Sequence, residues 1–131
     1  MKNLSLLIFL FLFGATTHLF SQTPSSADCK QFRTGTFYVK GMPNIIITRD
    51  ETTQTETDPA TGKYIKASIT WTSDCTYELR MIKTNWKSQR KAWKKLKVLV
   101  VTITDTDDNS YQFSAASPAL AQPIRGTIVK K

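Results

Sequence analysis

Between positions 83 and 97 the chain carries seven basic residues and no acid: Lys83, Lys87, Arg90, Lys91, Lys94, Lys95 and Lys97. Trp86 and Trp93 stand among them, seven residues apart. That spacing is about two turns of an α-helix, so a short helix would carry both indoles on one side and leave cations around them. Charge of this kind attracts an anionic lipid headgroup or another polyanion, while an indole settles at an interface or stacks on a base. The same residues also suit a solvated hairpin loop whose tryptophans fold back over the end of the molecule. The solvated loop is the commoner fate of such a run, and the local charge excess is what keeps a binding role beside it. The net charge is +8, and beyond Lys2 and this segment the remaining ten basic residues match the ten acidic ones. The candidate contact with an anionic surface is therefore Lys83, Trp86, Lys87, Arg90, Lys91, Trp93, Lys94 and Lys95.

Other residues that could do chemistry are not arranged for it. The single histidine, His18, falls in the apolar start of the chain. The rest of the molecule therefore lacks an imidazole for a Ser–His or Cys–His nucleophile or for a His-based metal site. Glu51, Glu56, Asp58, Asp74 and Glu78 could form a pair of carboxylates for glycoside hydrolysis, but they fall near strand ends and no signature brings two together. Asp105, Asp107 and Asn109 match the first positions of a calcium loop; Ser110 then stands where Gly is needed and Ala116 where a bidentate Glu is needed. That stretch reads as a polar hairpin turn. Neither a Gly-x-Ser-x-Gly elbow, a glycine-rich phosphate loop nor a zinc pattern occurs. The expectation is a protein that is not an enzyme, with no catalytic residues, metal or cofactor.

The elements that position these residues begin with an export signal. Met1-Lys2-Asn3 is a short positive start, residues 4–13 are apolar except Ser5, and Leu19-Phe20-Ser21 ends on a small residue. This order is that of a cleaved secretory signal over 1–21, and the apolar run is too short for a membrane anchor. The expected products are a single domain over 22–131 and a periplasmic or secreted location. Export in turn favours a disulfide between the two cysteines, Cys29 and Cys75; two buried free thiols are the alternative.

From residue 32 onward the pattern is almost wholly β. Ile65, Ala67, Ile69 and Trp71 alternate with Lys66, Ser68, Thr70 and Thr72, the period of a half-buried strand. Tyr77, Leu79 and Met81 alternate on the strand that returns, as do Tyr111, Phe113 and Ala115 later. Shorter strands are expected over 35–39, 45–49, 52–56, 97–104 and 124–129. The one at 52–56 is polar on both faces and is expected at an edge or in solvent. Pro59 and Gly62 mark a turn. About eight short strands at spacings near ten residues predict an all-β fold, a small antiparallel meander or barrel. An eight-strand barrel is wide enough to be filled by side chains or to hold one small ligand. Strand aromatics are core candidates. In a barrel open at one end, Trp71, Tyr77 and Phe113 would line an apolar ligand pocket.

The string Cys29-Lys30-Gln31-Phe32-Arg33-Thr34-Gly35-Thr36-Phe37, followed by Ile47-Thr48-Arg49, Gln54-Thr55-Glu56, Trp71-Thr72-Ser73-Asp74-Cys75-Thr76-Tyr77-Glu78-Leu79 and a final Gly126-Thr127-Ile128, resembles a family of small secreted bacterial proteins. These open with Cys-x-x-Phe-x-Thr-Gly-x-Phe and carry Trp-x-x-x-Cys-x-Tyr-x-Leu at their centre. The resemblance covers most of the mature chain and implies a lipocalin-like barrel without an established activity. Such proteins are often labelled "DNA topoisomerase IV", and chemistry opposes that label here. A topoisomerase needs several domains, a strand-cleaving Tyr in a DNA-binding core or an ATP site, and a cytoplasmic location. Gly35-Thr36-Phe37 is also similar to the Gly-x-Trp opening of lipocalins, with Arg125 as the aromatic-packing partner that this likeness implies. The expected partner is a small apolar ligand or an anionic envelope surface, with no specific nucleic acid and no transmembrane anchor.

Overall fold

The computed structural model describes residues 25–131; the export signal expected at 1–21 lies outside them. Eight strands follow in sequence order: β1 (Gly35–Val39), β2 (Met42–Arg49), β3 (Thr53–Asp58), β4 (Lys63–Ser73), β5 (Thr76–Thr84), β6 (Leu99–Thr106), β7 (Ser110–Ala116) and β8 (Ile124–Lys130). Each pairs antiparallel with the next, and β1 pairs with β8, closing the sheet into a barrel. A short helix, α1 (Ser26–Lys30), precedes the barrel, and α2 (Lys87–Leu96) joins β5 to β6. This is the all-β antiparallel meander barrel that the alternating residues predict.

The alternation works as the period of two requires. On β4, Ile65, Ala67 and Ile69 are buried inside, whereas Lys66, Ser68 and Thr70 face outward. Ile47, Leu79, Val101, Ile103, Ala115 and Ile128 complete the apolar interior.

One strand departs from expectation. β3 is not an edge: it pairs with β2 on one side and β4 on the other. Its inward face is polar, with Gln54 buried and Glu56 half-buried. What makes this tolerable is Arg49, opposite Gln54 in the β2–β3 register and itself 3% exposed. Polar groups can line the interior there because they satisfy one another.

The two mouths of the barrel differ. At one, α1 and the following loop form a plug. Fully buried Cys29 is joined to Cys75 by the expected disulfide, with Cα atoms 5.2 Å apart. Phe32 lies 5.0 Å from the Tyr111 ring. The β2–β3, β4–β5 and β6–β7 turns surround this disulfide end. At the opposite mouth lie the β1–β2, β3–β4 and β7–β8 connections and α2.

Candidate functional site

The basic segment folds mostly as α2, which presents one face to the barrel. Trp86, Gln89, Trp93 and Leu96 recur at helical spacing and are the covered positions, while Lys87, Arg90, Lys91, Lys94 and Lys95 are exposed. Sequence reasoning placed both indoles at a surface contact, and the structure separates them. Trp93 is in the hydrophobic core at 8% exposure, because an amphipathic helix buries its apolar stripe against the nearest core. Trp86 stays half-buried at the rim, with Lys63 Nζ 5.6 Å from its ring centroid. Trp86 gives the helix no side-chain cap, and Lys87 in the first turn opposes the helix dipole. Tertiary contacts therefore hold α2. Besides Trp93, Arg90 Nη2 donates to the Thr84 carbonyl at 2.7 Å, and Ser117 Oγ donates to the Leu96 carbonyl at 2.8 Å. Arg90 is thus an anchor of the helix, whereas Lys83, Lys87, Lys91, Lys94 and Lys95 remain turned to solvent.

Charge is divided between the two mouths. The cations of 83–97 share their end with Lys40, Lys63 and Arg125, opposed there by Asp58. At the disulfide end Asp28, Asp50, Glu51, Asp74, Asp107 and Asp108 stand with Lys30, Arg33, Lys130 and Lys131, so charge there is nearly balanced, with Lys30 and Arg33 both paired to Asp74. Among the described residues, none of the α2 cations forms an ion pair with a carboxylate. The exposed large apolar side chains fall at the cationic end as well: Met42 and Ile82 are 54% exposed and Ile124 47%. Ile82 owes its position to a bulge, since the β4–β5 register passes from Lys66–Lys83 to Ala67–Met81 and leaves it unpaired.

Inside the barrel, Arg49 is the hub that sequence reasoning missed. Its Nη1 donates to the Phe32 carbonyl at 2.7 Å, and its Nε and Nη2 donate to Gln54 Oε1 at 3.0 and 2.8 Å. Nη2 also reaches the Tyr111 hydroxyl at 3.0 Å, and the Tyr77 and Tyr111 hydroxyls lie 2.8 Å apart. The guanidinium lies 4.9 Å from the centroids of Phe37 and Tyr77. Arg125 is exposed on β8, so the aromatic-packing role expected of it is corrected to Arg49, which covers the Phe37 ring from β2. Burial pushes the Tyr77 phenol well above its ordinary range. Burial likewise raises the Glu56 carboxyl, against the lowering effects of its Gln54 hydrogen bond and the Arg49 charge.

Of the three aromatics expected around an apolar ligand, Trp71 and Tyr77 meet in a ring contact, whereas Phe113 pairs with Tyr111 instead and, among the described residues, the three line no common pocket. Trp71 packs on Tyr77 at 4.6 Å, and Tyr77, 1% exposed, belongs to the Arg49 cluster. Phe113 lies 6.5 Å from Tyr111 and opposite Gly126 on β8. A Cβ at Gly126 would come within 3.0 Å of that phenyl ring, so glycine gives the ring its place. Trp71 instead borders a cleft of about 670 Å³ at the disulfide end, shared with Lys30, Arg33, Thr34, Glu51, Thr52, Ile69 and Thr70.

A closed sequential barrel of eight antiparallel strands, with a helix laid over one mouth, is a lipocalin-like β-barrel. Compared with known proteins, the chain matches no family model, no curated protein and no solved structure. Among the described residues, no helix is long and apolar enough to cross a membrane, and no group of three or more His, Cys, Asp or Glu side chains could hold a metal ion.

Proposed function

We propose that this is an exported, non-enzymatic β-barrel module that docks through its α2 end on an anionic lipid surface of the cell envelope. The observation that carries the reading is the coincidence, at one mouth, of solvent-facing lysines without carboxylate partners and of the exposed Met42, Ile82 and Ile124. Cations near an anionic leaflet contribute about 1 kcal/mol each, and exposed apolar side chains at the same face can enter the headgroup boundary. Half-buried Trp86 at the rim suits that boundary too. The Cys29–Cys75 disulfide supports export, because such bonds persist in oxidising compartments. A small apolar ligand inside the barrel is less favoured, since Tyr77 and Tyr111 occupy the interior at 1% exposure and are held by hydrogen bonds.

Co-sedimentation with vesicles tests the proposal. Binding is expected to vesicles of phosphatidylglycerol and phosphatidylcholine, and to fall steeply between 0.1 and 1 M salt as the screening length shrinks from about 10 to about 3 Å. Replacing Lys87, Lys91, Lys94 and Lys95 with Ser removes about 4 kcal/mol by the same estimate, roughly a thousandfold in affinity. Equal binding to pure phosphatidylcholine, or binding that survives the four substitutions, overturns it. Tight binding to nucleic acid without vesicle binding would assign the surface to another polyanion.

A further inference from the structure

The cleft at the disulfide end has the chemistry of a second, separate site. Its wall is rich in hydrogen-bond donors: Lys30 and Arg33, the hydroxyls of Thr34, Thr52 and Thr70, and the indole of Trp71. Ile69 borders it from the core side, 4% exposed, and Glu51 is its acidic member. Among the described residues, two of the donors are buried without a hydrogen-bond partner, Arg33 Nε and Trp71 Nε1. Leaving such groups unpaired in the interior is costly, and native structures seldom do so. The two belong together, because the Arg33 guanidinium lies 5.1 Å from the Trp71 ring centroid. Asp74 engages Arg33 through Nη2 alone, at 3.1 Å, so the side-on edge formed by Nε and Nη2 is half used. That edge is the one a carboxylate takes with two parallel hydrogen bonds.

The wall is also held in place. Asp50 accepts hydrogen bonds from the Thr52 and Thr53 amides and the Thr53 hydroxyl, which bring its carboxyl down to about 2 and lock the β2–β3 turn. Trp71 is fixed between Tyr77 and Arg33. Arg33, with 37% of its side chain exposed, is the half of the stack that can turn.

We infer that this cleft binds a small organic carboxylate, whose oxygens accept from Arg33 Nε and Trp71 Nε1 while its apolar body rests against the Trp71 ring. An incoming carboxylate lifts Arg33 from the ring, opens both N–H groups and supplies the acceptors they lack. The site is at the mouth opposite α2 and does not depend on lipid binding.

The test is 1H–15N NMR of the oxidised full-length mature protein without lipid, with the Trp71 indole signal assigned through Trp71→Phe. The probes are benzoate and succinate, with benzamide and succinamide as neutral counterparts. At least one carboxylate is expected to shift the Trp71 indole and Arg33 Nε–H signals saturably, with a dissociation constant near or below about 1 mM. Arg33→Gln is expected to weaken that binding at least about tenfold, and Lys94→Gln on α2 to leave it unchanged. Lys30→Gln, which removes the cation that shares Asp74 with Arg33, is expected to weaken it by a smaller factor. Absence of a saturable shift with either carboxylate up to about 10 mM, equal shifts with the amides, or undiminished binding in Arg33→Gln each overturns the inference.

Discussion

Replacing Arg49 with Met asks whether the polar hub inside the barrel is a structural necessity. The substitution keeps a long side chain but removes every donor. The Phe32 carbonyl and Gln54 Oε1, which receive three of its hydrogen bonds, then lie in the interior without them. Each orphaned acceptor costs about 1–3 kcal/mol. The lost contacts with the Phe37 and Tyr77 rings add about 1–2 kcal/mol. Tyr77 and Tyr111 retain each other at 2.8 Å and add little. The expected loss is therefore about 3–8 kcal/mol, a large share of the 5–15 kcal/mol typical of a domain. Against it stands the relief of no longer burying a charge, which makes well-packed apolar replacements of whole ionic clusters nearly neutral. The pair Arg49→Met with Gln54→Leu separates these effects: it removes one orphaned acceptor but also takes the Gln54 amide from Glu56. It is therefore expected to recover about 1 kcal/mol near pH 4, where the Glu56 carboxyl is protonated. Guanidinium unfolding followed by tryptophan fluorescence, with the disulfide intact, measures both. A loss below about 1 kcal/mol for Arg49→Met, or a double variant less stable than the single one at that pH, would refute the reasoning.

Other outcomes follow from the same geometry. Glu56 has a folded pKa above its ordinary value of 4.5, mainly through burial. A raised acid contributes stability that is complete below the unfolded pKa and lost as pH rises through the folded one. Glu56→Gln should therefore match the parent near pH 4 and exceed it at pH 8 in thermal unfolding. Lys97 closes α2 at φ 60° and ψ −56°, with the Val98 amide bonded to the Leu96 carbonyl. This strained γ-turn suits glycine, so Lys97→Gly should raise stability by about 1 kcal/mol in denaturant titration. The disulfide spans 46 residues, and Cys29→Ala with Cys75→Ala should lower stability by about 4 kcal/mol by the chain-entropy relation, without changing vesicle binding by the folded protein.

Much of the barrel was legible because its strands obey one rule. The run 65–72 alternates without a fault, and β4 forms there with its odd-numbered residues inside. The same rule misleads at β3, where Gln54 and Glu56 look like a solvent face. The signal that would have corrected this lies one strand earlier. Period two puts Arg49 on the face of Ile45 and Ile47, and a buried arginine demands polar partners opposite it. Helix spacing correctly placed Trp86 and Trp93 on one side, but periodicity cannot tell whether that side meets water or the barrel. Burial of Trp93 decided it. The disulfide-end cleft was not legible, since it joins Lys30 and Arg33 to Glu51 and Trp71 across closed turns. Nor was the collection of Met42, Ile82 and Ile124 at one mouth, which depends on strand order and on a bulge.

The orientation of the bound protein tests the central claim most directly. Nitroxides attached through Ile82→Cys at the α2 end and through Asp107→Cys at the disulfide end report their depth by electron paramagnetic resonance, with Cys29 and Cys75 kept in their disulfide. On vesicles containing phosphatidylglycerol, the label at position 82 is expected to gain oxygen accessibility and lose that of a polar nickel complex, while the label at position 107 stays in water. Equal behaviour of the two labels, or immersion of position 107 alone, would contradict docking through the α2 end.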